Sequence, residues 1–153
     1  MKSLLILGAG GFGQMVKETA LVLGYEKVVF LDDAAKDEDV IGMCCDYVLK
    51  HEDYPEAVAA FGNNKTRLFW TDKLLEEGYE VPSIVHPSAI VSPSAVLEPG
   101  CFIMQRAVVN THTKIERAAL INSGAVVDHD SCVCAGAHIG LGSVVKANCT
   151  IES

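Results

Sequence analysis

The second half of the chain carries an aliphatic residue, or once a phenylalanine, at every sixth position. The series runs Ile84, Ile90, Val96, Phe102 and Val108, and after one extra residue it resumes as Ile115, Ile121, Val127, Val133, Ile139, Val145 and Ile151. Four positions after each of the first six members of the second run comes a small residue: Ala119, Ala125, Ser131, Ala137, Ser143 and Cys149. A period of six fits neither an α-helix nor a simple strand. It is typical of a parallel β-helix, in which the aliphatic side chains point inward and the small residues allow tight corners.

The first half of the chain alternates strand-like and helix-like segments. The continuous apolar run of residues 2–7 predicts a strand covered on both faces, and residues 13–23 carry apolar residues at helical spacing. Residues 28–31 predict a second buried strand, which completes one βαβ unit. A weaker unit follows, with an apolar stretch at residues 57–61 and a helix over about residues 65–77.

These two patterns predict an α/β domain followed by an all-β domain. We expect a small Rossmann-like βαβ domain at residues 1–82 and a left-handed parallel β-helix domain at residues 83–153. Three hexapeptide repeats close one triangular coil of about 18 residues. The second domain therefore holds just under four coils, and because the printed sequence stops inside a repeat, we expect this β-helix to be incomplete.

Charge and cysteine content exclude several classes of partner. The net charge of -8 argues against nucleic acid and against an anionic membrane surface. No apolar run approaches the roughly 18 residues that a membrane span requires. The six cysteines occur without a secretion signal, so we interpret them as reduced thiols in a cytoplasmic protein.

A glycine-rich turn joins the first predicted strand to the first predicted helix. Gly8, Gly10 and Gly13 would let the backbone approach a phosphate at the helix N-terminus, and Asp32 and Asp33 follow about 20 residues later, where they could accept ribose hydroxyls. Only about half of a full dinucleotide fold precedes the β-helix, which favours a nucleotide-sugar over a nicotinamide cofactor. The alternative is that these glycines serve only helix–strand packing.

A second polar cluster lies inside the six-residue repeats. His129 follows the inward Val127 by two positions, so its imidazole should project near a corner or the outer face. Acyl transfer to an amine or hydroxyl needs a base with a pKa near neutrality, which histidine supplies. A carboxylate can orient such a ring, and the spacing leaves both Asp128 and Asp130 open for this role. In the alternative interpretation, the aspartates serve turns and His129 is a surface residue.

Other histidines and cysteines surround this cluster in the sequence. His138 lies half a coil after His129, so the two imidazoles could meet only across a subunit boundary. Thr111 precedes His129 by 18 residues and should stack directly beneath it. Cys132 and Cys134 could form a zinc site with the two histidines, but C-x-C spacing is unusual for structural zinc and a flat wall does not easily converge four ligands. We therefore expect no metal.

The motifs together resemble the sugar O-acyltransferases of the sialic acid O-acetyltransferase group, which includes the UDP-4-amino-sugar (UDP-bacillosamine) N-acetyltransferases. The resemblance is carried by residues 6–13 (ILGAGGFG), 30–33 (FLDD), 61–64 (FGNN), 86–89 (HPSA) and 121–130 (INSGAVVDHD). It runs along the whole chain and does not specify the substrate. Members of the group usually continue for further coils that hold the pantetheine arm and adenine of CoA.

For the second domain, the resemblance implies a homotrimer that binds acetyl-CoA along the β-helix between subunits. His129 takes the position of the general base, and Asp130 takes the acidic position beside it. Asn122 and His138 match positions that line the reacting groups and the acetyl donor.

For the first domain, the resemblance implies a UDP-sugar site. Asp32 and Asp33 match the acidic pair near the nucleotide. Gly11, Gly62 and Asn63 belong to the matched motifs and complete the expected substrate-binding set.

The sequence therefore predicts an acetyltransferase that moves an acetyl group from acetyl-CoA to an amine or hydroxyl of a nucleotide-linked or free sugar. Two alternatives remain at this point. One is a nucleotide-sugar-binding module without turnover, which lacks the coils that bind CoA. The other is a nicotinamide-binding protein, which the glycine turn suggests.

Overall fold

The computed structural model describes residues 1–153, which form two compact units, Met1–Pro82 and Ser83–Ser153. The first unit is α/β and the second is a parallel β-helix, so the predicted fold class is confirmed. Neither α-helix has the length and apolar character that crossing a lipid bilayer requires.

The first unit is built on a parallel sheet of three strands in the order β2-β1-β3. Its elements are β1 (Ser3–Leu7), α1 (Gly11–Val22), β2 (Lys27–Leu31), a 3-10 helix (Cys44–Leu49), β3 (Ala57–Ala59) and α2 (Asn64–Glu76). Leu4, Leu5, Ile6 and Leu7 are fully buried, as expected for a central strand with covered faces. Because all three strands are parallel, the turns that follow them meet at one edge of the sheet.

The second unit consists of twelve strands of two residues each. They are β4 (Ile84–Val85), β5 (Ile90–Val91), β6 (Val96–Leu97), β7 (Phe102–Ile103), β8 (Val108–Val109), β9 (Lys114–Ile115), β10 (Leu120–Ile121), β11 (Val126–Val127), β12 (Cys132–Val133), β13 (His138–Ile139), β14 (Val144–Val145) and β15 (Thr150–Ile151). Every third strand pairs in parallel, which forms three four-stranded sheets: β4-β7-β10-β13, β5-β8-β11-β14 and β6-β9-β12-β15. Residues 18 positions apart therefore lie side by side in neighbouring coils, as Val108 and Val126 do.

The inward positions of this β-helix correct one prediction. They form an unbroken six-residue series, Val85, Val91, Leu97, Ile103, Val109, Ile115, Ile121, Val127, Val133, Ile139, Val145 and Ile151, so the proposed extra residue is wrong. The five residues that the prediction placed before the extra residue, from Ile84 to Val108, are the first residues of their strands and lie outside this core. Of these, Ile90 is 66% exposed and Val96 is 55% exposed. Adjacent strand residues face opposite sides. Because β4, β5, β6, β7 and β8 each carry apolar residues at both positions, the sequence supports two frames equally well.

The corners of the β-helix repeat with the same period. Nine residues spaced six apart, from Gly100 to Asn148, have positive φ angles between 56° and 75°. The residue after each of them is small, and Ala107, Ala119 and Ala125 are fully buried in the core. A larger side chain there would collide with the facing walls. This left-handed corner geometry determines where polar side chains on neighbouring residues can point.

Candidate functional site

His129 and Asp130 lie at the corner between β11 and β12. The Nδ1 atom of His129 is 2.7 Å from Oδ2 of Asp130, and both side chains are about half exposed, at 50% and 48%. Asp130 is one of the corner residues with positive φ, at 56°. This corner brings two adjacent side chains together that an extended strand would direct to opposite faces.

The carboxylate of Asp130 determines the state of the His129 ring. When Nδ1 carries the hydrogen it donates to Asp130, and Nε2 is left with an unprotonated lone pair that can accept a proton. The hydrogen bond to Asp130 raises the pKa of His129 above its usual value, and the charges of Asp128 and Asp130 add to this, while desolvation opposes it. An imidazole held in this way can act as a base through Nε2.

Asp128 has a different role. Its Oδ1 accepts hydrogen bonds from the backbone N–H of His129 at 2.8 Å and from Nδ2 of Asn110 at 3.0 Å. These donors, the backbone N–H first, hold the pKa of Asp128 below its usual range. Of the two aspartates that spacing left open, Asp130 contacts the ring and Asp128 holds the backbone of the corner.

A second imidazole, which the sequence reasoning missed, faces the same carboxylate. Nδ1 of His112 is 3.7 Å from Oδ1 of Asp130, on the other side of the carboxylate from His129. His112 and Asp130 are 18 residues apart, so they lie in neighbouring coils. The backbone N–H of Asp130 donates a hydrogen bond to the carbonyl oxygen of Thr111, which fits the expected position of Thr111 in the coil below His129. The 18-residue spacing could have predicted that His112 lies beneath Asp130, but it was used above only to place Thr111 beneath His129.

Asn122, at the corner after β10, contacts His138 on the neighbouring strand β13. Nδ2 of Asn122 is 3.1 Å from Nε2 of His138, and the strand register places Leu120 beside His138. Asn122 comes just before β11 in the chain, and His129 comes just after it. The pair therefore flanks one edge of the β5-β8-β11-β14 sheet, and the His129 corner flanks the other.

The outer surface of that sheet is apolar. Ile90, Val108, Val126 and Val144 form one outward column, and the two end members are 66% and 69% exposed. A contiguous aliphatic column between two polar corners is typical of an interaction surface.

In the first unit, the glycines of the turn after β1 divide into two groups. A Cβ atom on Gly13 would lie 1.9 Å from the carbonyl oxygen of Gly8, and one on Gly8 would lie 2.8 Å from the carbonyl oxygen of Ala60. These two glycines are needed for close helix–strand packing. Gly10 and Gly11 have no heavy atom within 4 Å of that position, so the start of α1 is open to a ligand.

The acidic pair after β2 is engaged with the backbone. Oδ2 of Asp32 accepts from the N–H of Ala9 at 2.8 Å, and its Oδ1 accepts from two N–H groups of the following turn. The N–H groups, that of Ala35 first, hold the pKa of Asp32 below its usual value. Asp33 accepts from the N–H of Cys44 at 2.9 Å. Both carboxylates line an open cavity of about 390 Å³, together with Lys36 and others.

The turn after β3 is shaped by side chains of α2. Asn63 is the N-cap, and its Oδ1 accepts from the N–H of Thr66 at 2.9 Å. The fully buried Arg67 donates to the carbonyl oxygens of Phe61 and Gly62. Gly62 itself faces open space. This turn lies at the same sheet edge as Gly10 and Asp32.

Comparison with known proteins identifies the group to which this architecture belongs. Residues 3–74 match the PglD N-terminal domain family. PerB from Caulobacter crescentus, solved in complex with CoA and GDP-perosamine, is 30% identical with a TM-score of 0.88, over 94% of this chain and 71% of that one. The acetyltransferase domain of PglB from Neisseria gonorrhoeae, solved with acetyl coenzyme A, is 31% identical with a TM-score of 0.89, over 99% of this chain and 85% of that one.

The chain belongs to the family of these sugar acetyltransferases. A histidine-to-alanine mutant of the Caulobacter GDP-perosamine N-acetyltransferase, solved with CoA and GDP-perosamine, is also similar, at 30% identity and a TM-score of 0.86. Within this sugar acetyltransferase, the polar corners of the β-helix and the turns at the sheet edge are the two candidate sites.

The cysteines of this sugar acetyltransferase are not arranged as the rejected zinc site would require. Cys132 and Cys134 lie beside Glu116 on the β6-β9-β12-β15 sheet, rather than with His129 and His138. Their neighbours come from the preceding coil, which the sequence reasoning did not consider for these residues.

Proposed function

We propose that this chain transfers the acetyl group of acetyl-CoA to an amine of a nucleotide-linked sugar, with His129 as the general base. The observation that carries the proposal is the 2.7 Å contact between Nδ1 of His129 and Asp130, which leaves Nε2 available. The similar proteins solved with CoA, acetyl-CoA or GDP-perosamine support the donor and the class of acceptor.

The proposed chemistry needs one base and one orienting carboxylate. Acetyl-CoA supplies a thioester carbonyl for attack by the acceptor nitrogen. Nε2 of His129 takes a proton from that nitrogen as it attacks, and returns it to the departing thiolate of CoA. Asp130 keeps the ring in one tautomer and stabilises the imidazolium between the two transfers. Nδ1 of His112 lies 3.7 Å from the other carboxylate oxygen, beyond hydrogen-bond distance, so its effect on Asp130 is weaker than that of His129.

The nucleotide would bind at the carboxyl edge of the β2-β1-β3 sheet, where ligands of parallel α/β sheets usually lie. Gly10, Gly11 and Gly62 provide open backbone there. Asp32 acts by holding the turn that carries Ala9, and Asp33 and the 390 Å³ cavity receive the nucleoside. Gly8, Gly13 and Asn63 support this site by packing and capping.

We further propose that the chain forms a homotrimer through its exposed aliphatic column. Ile90, Val108, Val126 and Val144 would pack against neighbouring copies, which removes their apolar surface from water. Because the column lies between the His129 corner and the Asn122–His138 corner, such packing would bring the first corner of one copy to the second corner of the next. His138 would then contact the acetyl donor from a partner copy.

The proposal also covers the cellular location of the protein and the choice between nitrogen and oxygen as the acetylated atom of the sugar. The six cysteines are free thiols, which fits the reducing cytoplasm where we place the protein. The resemblance to sialic acid O-acetyltransferases leaves hydroxyl acetylation as the competing reaction, whereas the similar GDP-perosamine enzyme is an N-acetyltransferase.

Release of CoA thiol, measured across UDP- and GDP-linked amino-sugars and their hydroxyl counterparts, tests the reaction. We expect turnover with an amino-sugar and a product that survives mild alkali, because an amide resists conditions that cleave an ester. An alkali-labile product would indicate O-acetylation. Calorimetric binding of a nucleotide-sugar without turnover of any acceptor would contradict the proposal and favour a binding module.

Sharing of the site between copies can be tested by co-expression. His129→Ala and His138→Ala chains should each be inactive as homotrimers. Mixed trimers should recover part of the activity, because some corners would pair an intact His129 with an intact His138. Mixed assemblies with no recovered activity would show that each copy carries its own complete site.

A further inference from the structure

We propose that Glu116, Cys132 and Cys134 form a binding site for zinc or a similar thiophilic divalent cation. The nearest ligand atoms of these three side chains, two thiols and one carboxylate oxygen, all lie within 4.8 Å of one another. The site is separate from the His129 corner and does not depend on the acetyl-transfer proposal.

The β-helix register explains why these residues meet. Val133 is an inward core residue, so Cys132 and Cys134 on either side of it point outward. The strand pairing places Ile115 beside Val133, and the N–H of Glu116 donates to the carbonyl oxygen of Val133. A pair of thiols on one coil therefore faces a carboxylate on the coil before it.

The geometry needs little adjustment to hold a metal ion. Zinc binds thiolates at about 2.3 Å and carboxylate oxygens at about 2.0–2.2 Å, so ligand atoms around it are roughly 3.5 Å apart. The thiols of Cys132 and Cys134 would have to rotate toward the carboxylate to close this difference. Three protein ligands leave the fourth tetrahedral position for water.

The carboxylate is already held in place. Glu116 Oε1 accepts a hydrogen bond from the N–H of Ala135 at 3.2 Å, and Oε2 lies 3.4 Å from Nζ of Lys114. Outer contacts of this kind orient metal ligands. With both thiols ionised, the two positive charges of zinc offset two of the three negative charges of the ligands, and Lys114 is shared between Glu116 and Glu98.

A disulfide between the two cysteines fits this site less well. Residues two apart in a strand have Cα atoms about 6.6 Å apart, at the upper end of the disulfide range. The Cys132 and Cys134 thiols are also free in the structure. A cation that bridges the two sulfur atoms needs no such approach.

Zinc titration of the untagged full chain, under a phosphine reductant and in competition with a chromogenic chelator, tests the site. We expect one equivalent to bind, and each of Cys132→Ser, Cys134→Ser and Glu116→Gln to weaken it by at least about tenfold, the scale of losses at supporting contacts alone. Cys45→Ser is the matched control, because Cys45 is an exposed thiol outside the cluster, and it should leave the affinity unchanged.

Cobalt titration gives an independent reading, since a thiolate–cobalt charge-transfer band should appear in the wild type and disappear in the Cys132→Ser, Cys134→Ser double variant. Circular dichroism verifies that every variant is folded. Equal zinc affinity in the wild type and both cysteine variants would overturn the proposal, as would the absence of stoichiometric binding. An unchanged affinity in Glu116→Gln would remove the carboxylate from the site and refute the three-ligand assignment.

Discussion

The two units hold their candidate functional residues in opposite ways. In Met1–Pro82, the polar residues at the sheet edge are occupied with their own backbone: Asp32 accepts from three N–H groups and Asn63 caps a helix. In Ser83–Ser153, His129 and Asp130 contact each other through side-chain atoms, on a corner whose backbone is held by the neighbouring coil and by the carboxylate of Asp128. In the α/β unit, the turn is therefore built by the same residues that would face a ligand. In the β-helix, other residues hold the backbone of the corner, so the side chains of His129 and Asp130 remain available for chemistry.

The largest expected effect tests the functional side of this comparison. His129→Ala should lower kcat by about 10²–10⁴-fold, because the proposed general base is lost. Its thermal unfolding should be nearly unchanged, since the side chain is half exposed and the backbone of the corner does not depend on it. Steady-state kinetics and thermal unfolding check the two parts. An unimpaired rate would remove His129 from the mechanism, and a large loss of stability would show that this corner is not independent of its side chains.

The next largest effect is on stability, and it compares an inward residue of the β-helix with an outward one. Ile121→Ala should cost about 2–5 kcal/mol of unfolding free energy, because it leaves a cavity in a fully buried stack. The matched Ile90→Ala should cost less than about 1 kcal/mol in the monomer, because Ile90 is 66% exposed. Denaturant unfolding measures both variants. Equal losses would contradict the inward frame described above.

A smaller effect should appear at the sheet edge, where a polar residue holds the fold. Asp32→Asn should cost about 1–3 kcal/mol, because at least one of its N–H donors is left without an acceptor. The folded pKa of Asp32 is depressed, so its contribution is present above the unfolded pKa and is lost as pH falls through the folded pKa. Denaturant unfolding of the wild type and of Asp32→Asn over a range of pH should show that the difference between their unfolding free energies becomes smaller in acid. An Asp32→Asn variant as stable as the wild type would contradict the idea that Asp32, unlike Asp130, is needed to hold its own backbone.

The smallest effect concerns the pH dependence of the rate. The raised pKa of His129 places the acid limb of the kcat/KM profile above the usual histidine value, because only the neutral ring accepts a proton. Asp130→Asn should move that limb to lower pH, because the hydrogen bond that raises the pKa of His129 is weakened. His112→Gln should shift it less, because His112 acts only through Asp130. A limb that moves to higher pH in Asp130→Asn would contradict the assigned orientation.

Much of the fold followed from local patterns. The predicted helices and strands of the first unit differ from the observed ones by one or two residues at most ends, because the glycine turn and the buried runs specify them. The β-helix was evident from its period, but its frame was wrong before Ile115, because the strand pairs from β4 to β8 are apolar on both faces. Continuing the period backward from Ile115 without interruption reaches Val109, Ile103 and finally Val85, and this was the signal that would have corrected it.

The sequence by itself determined the architecture and the residue types available for chemistry, because periodic burial and turn formation depend on neighbours along the chain. Only the tertiary structure decided which of these residues meet: His112 with Asp130, Asn122 with His138, and Glu116 with Cys132 and Cys134. These contacts join coils that are 16 to 18 residues apart, and they depend on side-chain direction at left-handed corners. The physical reason is that contact across coils depends on side-chain rotamers and on the backbone angles of each corner, which the six-residue period does not specify.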